Sequence, residues 1–383
     1  MTTSAGAPIE YKDARVTLNS RLIFNEYFMD MITHIVRERI PERIVHAKAA
    51  GAFGYFEVTH DITHICKAKL FANVGKRTPV AVRFSPVVVE KGGIDTSRDA
   101  RGFSIKFYTE EAGIKNLRSE EARQIAAVDP DYATRDLYRA IGNGNFPSWK
   151  VSIQVLSLND VKNAGFDVFD VTKVLPLDSY PLIPVGVFVL NKNPINYFAE
   201  IEQLAFNPAN LVPGILGGPD KVFEARRLAY RDAQYYRLGA NFNKIPVNCP
   251  IQAKVMAYNR DGRPPVEDNG IDSPNYYPNS YNGPEAYFDK KRTELIEIFQ
   301  DDPNNFQQAT ELYVNEMTKD ERSRLVENLL YSLGPVAKFL QDRAVKLFTI
   351  IHPDLGNRLA EGLAANRTND YYFDDDKFYN YNK

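Results

Sequence analysis

Apolar residues recur at helical spacing from Leu22 to Ile40, where Ile23, Phe24, Tyr27, Phe28, Met31, Ile32 and Ile35 fit a 3.6-residue period and predict an amphipathic helix. From Ala52 the period changes. Ala52 to Val58, Pro79 to Phe84 and Gly102 to Tyr108 alternate or run apolar with β-branched and aromatic residues, which predicts strands. A helical pattern from Ile62 to Phe71 lies between the first two. Leu117 to Ala127 and Asp131 to Ile141 predict helices, and Trp149 to Leu156 and Gly186 to Leu190 predict strands. Asn196 to Phe206 predicts a helix entered through Pro194 and ended by Asn207-Pro208. From Lys221 onward nothing breaks a helix until Gly239, a fitting stop. Ile245 to Pro284, rich in Pro, Asn and Tyr, reads as an extended wrapping segment, after which helical patterns dominate to about Ala365. Strands in the first half and helices in the second argue for an α+β chain rather than a doubly wound sheet. Asn369 to Lys383, with its Asp and Tyr residues and little that packs, predicts a disordered tail.

The stretch before Gly239 carries the first candidate chemistry. On a helix, Arg226, Tyr230 and Arg237 project from one face. Guanidinium groups flanking a phenol stabilise its ionised form, because opposite charge favours the charged state. A phenolate is a hard anionic ligand suited to ferric iron. For these spacings alone, a surface helix with tyrosines and arginines packed across turns is the commoner arrangement. His60 and His64, four apart near the start of the helical pattern from Ile62, have no third ligand at a recognisable spacing and read as structural.

Composition narrows the classes. The chain has 383 residues, enough to bury a substantial core, and a formal net charge of −2, which argues against nucleic acid or a membrane surface as partner. The two cysteines, Cys66 and Cys249, form neither a metal-type spacing nor a disulfide framework and suit a reducing compartment. No signal peptide, bilayer-length apolar run or peroxisomal Ser-Lys-Leu ending is visible. The expectation is a soluble intracellular protein.

Two dispersed blocks supply specificity. Arg226-x-x-x-Tyr230-x-Asp232-x-x-x-x-Arg237-Leu238-Gly239 resembles the proximal haem helix of the haem-containing monofunctional catalases. Arg43-Ile44-Val45-His46-Ala47-Lys48, followed by Gly51-Ala52-Phe53-Gly54-Tyr55-Phe56-Glu57-Val58-Thr59-His60-Asp61, resembles the same family's N-terminal motif. The resemblance runs from about Gly6 to about Asn366. It implies a catalase-like antiparallel β-barrel within the α+β chain. The implied divisions are an arm (1–20), a barrel core with the haem helix near its end (21–244), a wrapping segment (245–284), a helical domain (285–368) and the tail (369–383). It further implies haem as cofactor and hydrogen peroxide as substrate, decomposed to water and oxygen. The expected subunit arrangement is a homo-oligomer, a tetramer by resemblance, in peroxisome or cytoplasm.

Roles follow from the resemblance residue by residue. Tyr230 is the expected iron ligand and Arg226 the group that keeps it ionised. His46 is the expected proton shuttle, with Ser85, in Val82-Arg83-Phe84-Ser85, orienting its imidazole. Val45 matches the apolar residue on the distal haem face, and Arg43, Arg83 and Arg237 match the arginines that hold the haem propionates. Asp99 lies in another matching motif and has an expected structural role.

The sequence also departs from the family. After Lys106-Phe107-Tyr108-Thr109-Glu110 the family has a long central stretch, whereas this chain passes directly into Gly113-Ile114-Lys115-Asn116-Leu117, which resembles family sequence well downstream. The distal asparagine, distal aromatic residues and several barrel strands go with it, so the barrel is expected to be incomplete. Arg231 stands where the family commonly has Pro, and Gln234-Tyr235-Tyr236 where it has His-Arg-His. Leu175-Pro176-Leu177 replaces a Trp-Pro-His motif that contacts NADPH, so NADPH is not expected. Two readings remain: an impaired haem catalase, or a non-catalytic or weakly peroxidatic relative.

Overall fold

Alternation of small, β-branched and aromatic residues builds the sheet, whose antiparallel strands are joined by long connections rather than by hairpins. A computed structural model describes residues 1–13, 25–86, 105–113, 117–170, 173–212, 214–215, 217–218, 221–249, 261–264 and 305–366. The expected tail, the motif around Asp99, and most of the wrapping segment lie outside these.

In chain order the elements are α1 (Glu26–Arg37), β1 (Ala50–Val58), β2 (Arg77–Phe84), β3 (Ile105–Thr109), α2 (Ser119–Val128), α3 (Tyr132–Gly142), β4 (Ser148–Ile153) and α4 (Leu158–Asn163). β5 (Ile183–Lys192), a π-helical turn (Phe198–Glu202), α5 (Lys221–Leu238), α6 (Gln307–Glu311), α7 (Lys319–Leu333), α8 (Lys338–Ile351) and α9 (Pro353–Asn366) follow. The five strands form one sheet in the order β2-β1-β5-β4-β3, with every neighbouring pair antiparallel. Among the described residues it does not close into a barrel; β2 and β3 remain its edges.

Register is fixed by side chains as well as by the ladder. Glu57 of β1 stands opposite Arg77 of β2, whose Nε donates to the carboxylate at 2.7 Å while its guanidinium lies 4.4 Å from the Tyr55 ring centroid. One sheet cluster joins Phe56, Val58, Ile62, Val151 and Val185; another joins Ala52, Ile141 of α3 and Leu190. Val58, Val185 and Leu190 are essentially inaccessible, and each such side chain contributes roughly 1.5–3 kcal/mol by leaving water. Small residues on β1 let the sheet curl. Phe84 of β2 and Trp149 of β4 are three places apart in strand order, yet their ring centroids are 6.0 Å apart.

The later helices form a separate core of Tyr313, Val326, Leu355 and Leu359. The start of α7 is set by a capping box in which Thr318 and Glu321 exchange hydrogen bonds. This bundle meets the first half through α2, where Ser119 Oγ donates to Asn328 Oδ1 at 2.7 Å and Arg123 stacks on Tyr331.

Two expected helices are not formed as read. Ile62 to Phe71 is a run of turns ending in one 3-10 turn, Lys69–Phe71. Asp61 accepts hydrogen bonds from the Thr63 amide and hydroxyl, diverting the backbone at the entry, and Ile62 and Ala68 are buried without a helix. Asn196 to Phe206 is helical only over Phe198–Glu202, because the carbonyls that would continue it are taken by arginine and asparagine side chains. β4 stops at Ile153, and the Gln154 amide turns to the Leu175 and Tyr180 carbonyls. The short α4, not foreseen, begins on a Ser157–Asp160 capping box.

Candidate active site

The lead-in to β1 carries the distal candidates. His46 has φ +66° and is the one non-glycine residue with positive φ among the described residues. That conformation costs about 1–3 kcal/mol and persists only where surroundings impose it. Here β2 imposes it. The two Nη groups of Arg83 donate to the His46 carbonyl at 2.6 Å and the Ala47 carbonyl at 2.8 Å. Because Phe84 pairs with Ala50, Ser85 emerges beside the same turn, and its Oγ lies 3.0 Å from His46 Nδ1. Lys48, buried, reaches Asp131 at the start of α3 at 2.5 Å, anchoring the turn from its other side. Val45 is 40% exposed, an apolar side chain with an uncovered face next to His46.

The three predicted cradle arginines converge. Arg43 donates to the Glu202 and Leu204 carbonyls at 2.8 Å each and to Glu202 Oε1 at 3.3 Å. Arg237 of α5 donates to the Glu202 carbonyl at 2.8 Å and to Gln234 Oε1 at 2.7 Å, and lies 3.5 Å from Glu202 Oε1. These donors satisfy carbonyls that the π-helical turn leaves open. The turn approaches β1 closely because position 51 is glycine; a Cβ there would lie 2.3 Å from Ile201. Tyr197 completes the cluster, its hydroxyl donating to the Ala49 carbonyl at 2.8 Å.

Charge in this cluster is unbalanced. Burial, reinforced by Arg83 and Arg237 and opposed by Glu202, pushes Arg43 down to about 9. Burial likewise lowers Arg83 and Arg237, and raises the Tyr197 phenol. Three guanidinium groups face one carboxylate. Arg83 Nε, Arg237 Nε and Glu202 Oε2 are buried without a hydrogen-bond partner among the described residues. Two unsatisfied donors amid excess positive charge are what a pair of carboxylates would relieve. The cradle therefore fits the propionates of the haem that the resemblance implies.

On α5, Arg226 donates to the Tyr230 hydroxyl oxygen at 3.0 Å, with the guanidinium carbon 5.1 Å from the ring centroid. Tyr230 is half-buried and Arg226 exposed. The helix ends at Leu238, and Gly239, at φ +94°, turns the chain where a Cβ would come within 2.4 Å of the Arg263 carbonyl oxygen. Only glycine fits. An acceptor oxygen beneath a guanidinium suits a phenolate ligand for haem iron.

The structure thus joins His46 to Ser85, Arg226 to Tyr230, and Arg43, Arg83 and Arg237 to one another. Arg83 links the first group to the third, and α5 links the second to the third through Arg237. Sequence reasoning missed Glu202 and Tyr197, the acid and the phenol of the cluster among the described residues. The one local signal was weak, an acid directly after Ile201 and two places before Leu204, where burial of an unpaired carboxylate would be costly.

The catalase family model matches residues 2–112 and 110–283, and a model described as catalase-related immune-responsive matches residues 300–363. A catalase of Mus musculus is 40% identical, covering 94% of this chain and 89% of its own length. A catalase of Drosophila melanogaster is 39% identical, covering 95% and 94%. Among solved structures, a fungal catalase superposes with a TM-score of 0.88 at 29% identity, covering 96% of this chain and 97% of its own. Catalase A from Saccharomyces cerevisiae gives 0.85 at 30% identity, covering 95% and 98%. The two alignments to the animal relatives run over 471 and 474 positions against a chain of 383 residues, so those relatives carry residues without counterpart here. The two family-model segments meet at residues 110–112, where the sequence departs from the family pattern.

Proposed function

We propose, for a chain that belongs to the catalase family, that His46 and Ser85 handle the proton, Arg43, Arg83 and Arg237 hold the haem carboxylates, and Tyr230 ligates the iron. The chain is a haem-dependent oxidoreductase that decomposes hydrogen peroxide to water and oxygen. When bound, haem supplies the redox chemistry that side chains lack.

The observation that carries the assignment is the 3.0 Å contact of Ser85 Oγ with Nδ1 of a histidine held at φ +66°. For His46 to accept a proton from peroxide at Nε2, Nδ1 must carry the hydrogen and donate it to Ser85. Ser85 then fixes the basic tautomer, and the Arg83 clamp on the His46 carbonyl fixes the ring's direction. Returning that proton to the second peroxide oxygen completes a general acid–base cycle worth roughly 10²–10⁴-fold in rate. Val45 would give the haem an apolar contact beside His46, and Arg226 holds the Tyr230 oxygen as an acceptor.

Decomposition is slower than in intact relatives. The central stretch that brings the peroxide-positioning asparagine and the distal aromatics in the family has no counterpart after Glu110, and lost positioning costs rate directly. The open sheet edges and the uncovered Val45 also support a second, weakly peroxidatic activity on organic donors. The chain is divided as arm, barrel core, wrapping segment, helical domain and tail at the boundaries given above. It acts as a homo-oligomer, a tetramer, inside the cell in peroxisome or cytoplasm, without nucleic acid or membrane. Exposure of Met31, Ile35 and Val36 on α1, which has no buried residue, supports association, and no described helix is long and apolar enough to cross a membrane.

Loading the purified chain with haem tests the ligand assignment. Tyr230→Phe is expected to remove iron–phenolate absorption while far-ultraviolet dichroism is unchanged. An unaltered spectrum rules the assignment out.

A further inference from the structure

We propose that the cavity between α3 and the concave face of the sheet binds a small aromatic ammonium ion. Its volume is about 1020 Å³, ample for a compact organic ligand. Phe84, Trp149 and Phe146 supply aromatic wall, and Phe84 and Phe146 are more than 40% exposed, so these rings have faces for a ligand to cover. Phe84 and Trp149 already meet at 6.0 Å with their planes inclined by 42°, an angled platform against which a further ring can stack.

Charge selects the ligand. Asp136 and Glu111 line the cavity, both exposed, and no Lys, Arg or His is among the described lining residues. An ammonium group gains from the carboxylates and from the ring faces, whereas a carboxylate ligand is repelled by both. Location gives the site a neighbour of consequence. Ser85 lines the cavity and also touches His46 Nδ1, so an occupant lies against the residue that orients the proton-handling histidine. The binding claim itself is independent of haem loading and of the catalytic reading.

Trp149, the chain's single tryptophan, is a built-in reporter. The full-length chain is titrated with 2-phenylethylammonium and, separately, with phenylacetate, exciting beyond tyrosine absorption. A saturable change in Trp149 emission is expected for the ammonium ion, with affinity about tenfold above that for the anion, from two exposed carboxylates each worth about 0.2–1 kcal/mol. Asp136→Asn combined with Glu111→Gln, at exposed positions that leave the fold intact, is expected to bring the two affinities within about twofold of each other. No saturable change with either probe overturns the proposal. So do equal affinities in the unaltered chain, or a preference that survives the double substitution.

Discussion

The two ends of α5 differ in what they require. Arg237, near the C-terminal end, is 4% exposed and donates to two acceptors on the π-helical turn and α5. Tyr230, two turns or about 10.5 Å earlier on the same face, accepts a side-chain hydrogen bond from exposed Arg226, and neighbouring Leu228 is 74% exposed. The three-arginine cluster is thus held in place by the chain's own contacts, the β1–β2 register, the Gly51 approach and the carbonyls of the π-helical turn, while the Arg83 and Arg237 Nε donors stay unsatisfied among the described residues. The half of α5 that carries Arg226 and Tyr230 has no such support among the described residues. On the proposed assignment, haem would meet a preformed grip at one end and a half-open face at the other.

Disrupting the buried end has the larger expected effect. Glu202→Gln removes the one negative charge from three guanidinium groups and is expected to destabilise the haem-free chain by about 3–5 kcal/mol, measured by denaturant unfolding. A loss below about 1 kcal/mol would mean that the cluster is solvated rather than strained. At the open end, Arg226→Leu leaves haem-free stability within about 0.5 kcal/mol, as expected of an exposed side chain, but weakens haem retention several-fold, about 1 kcal/mol. Unchanged haem dissociation would remove Arg226 from the site.

A third effect, seen only above pH 9, concerns protonation. Arg43, held near 9 in the folded chain, binds fewer protons there than in the unfolded chain above that pH. The cost of burying its charge is therefore fully present below about pH 9 and is relieved as pH rises through the folded value toward the unfolded one. Stability of the unaltered chain relative to Arg43→Gln should rise with pH above 9, by at most about 1.4 kcal/mol per pH unit. A flat difference between pH 8 and 10 would show that Arg43 titrates like a solvent-exposed guanidinium.

What the sequence made legible follows the same division. Strands with alternating burial were found where expected: Ala52 to Val58 lies inside β1, Pro79 to Phe84 inside β2 and Gly186 to Leu190 inside β5. Leu117 to Ala127 and Asp131 to Ile141 match α2 and α3 within two residues at each end. Local pattern sufficed there because one face is buried and the other solvated. It failed at Ile62 to Phe71 and Asn196 to Phe206, where side chains distant in sequence or capping locally compete for the backbone: Asp61 in the first, Arg43 and Arg237 in the second. The His46–Ser85 and Arg226–Tyr230 pairs were expected from motif resemblance and the structure brings both together. Glu202 was missed because its importance comes from three arginines that the chain gathers from β2, α5 and the β1 lead-in. No local window contains them.

The central claim is that a preformed cradle and an intact His46–Ser85 pair coexist with a distal side that no longer positions peroxide. The most direct measurement loads the purified chain with haem and records oxygen release from hydrogen peroxide beside an intact catalase at equal haem, with oxidation of a phenolic donor followed in the same samples. Oxygen release at least about 10²-fold slower, with donor oxidation per haem above that of the intact enzyme, is the predicted result. Oxygen release as fast as that of the intact catalase would contradict the account.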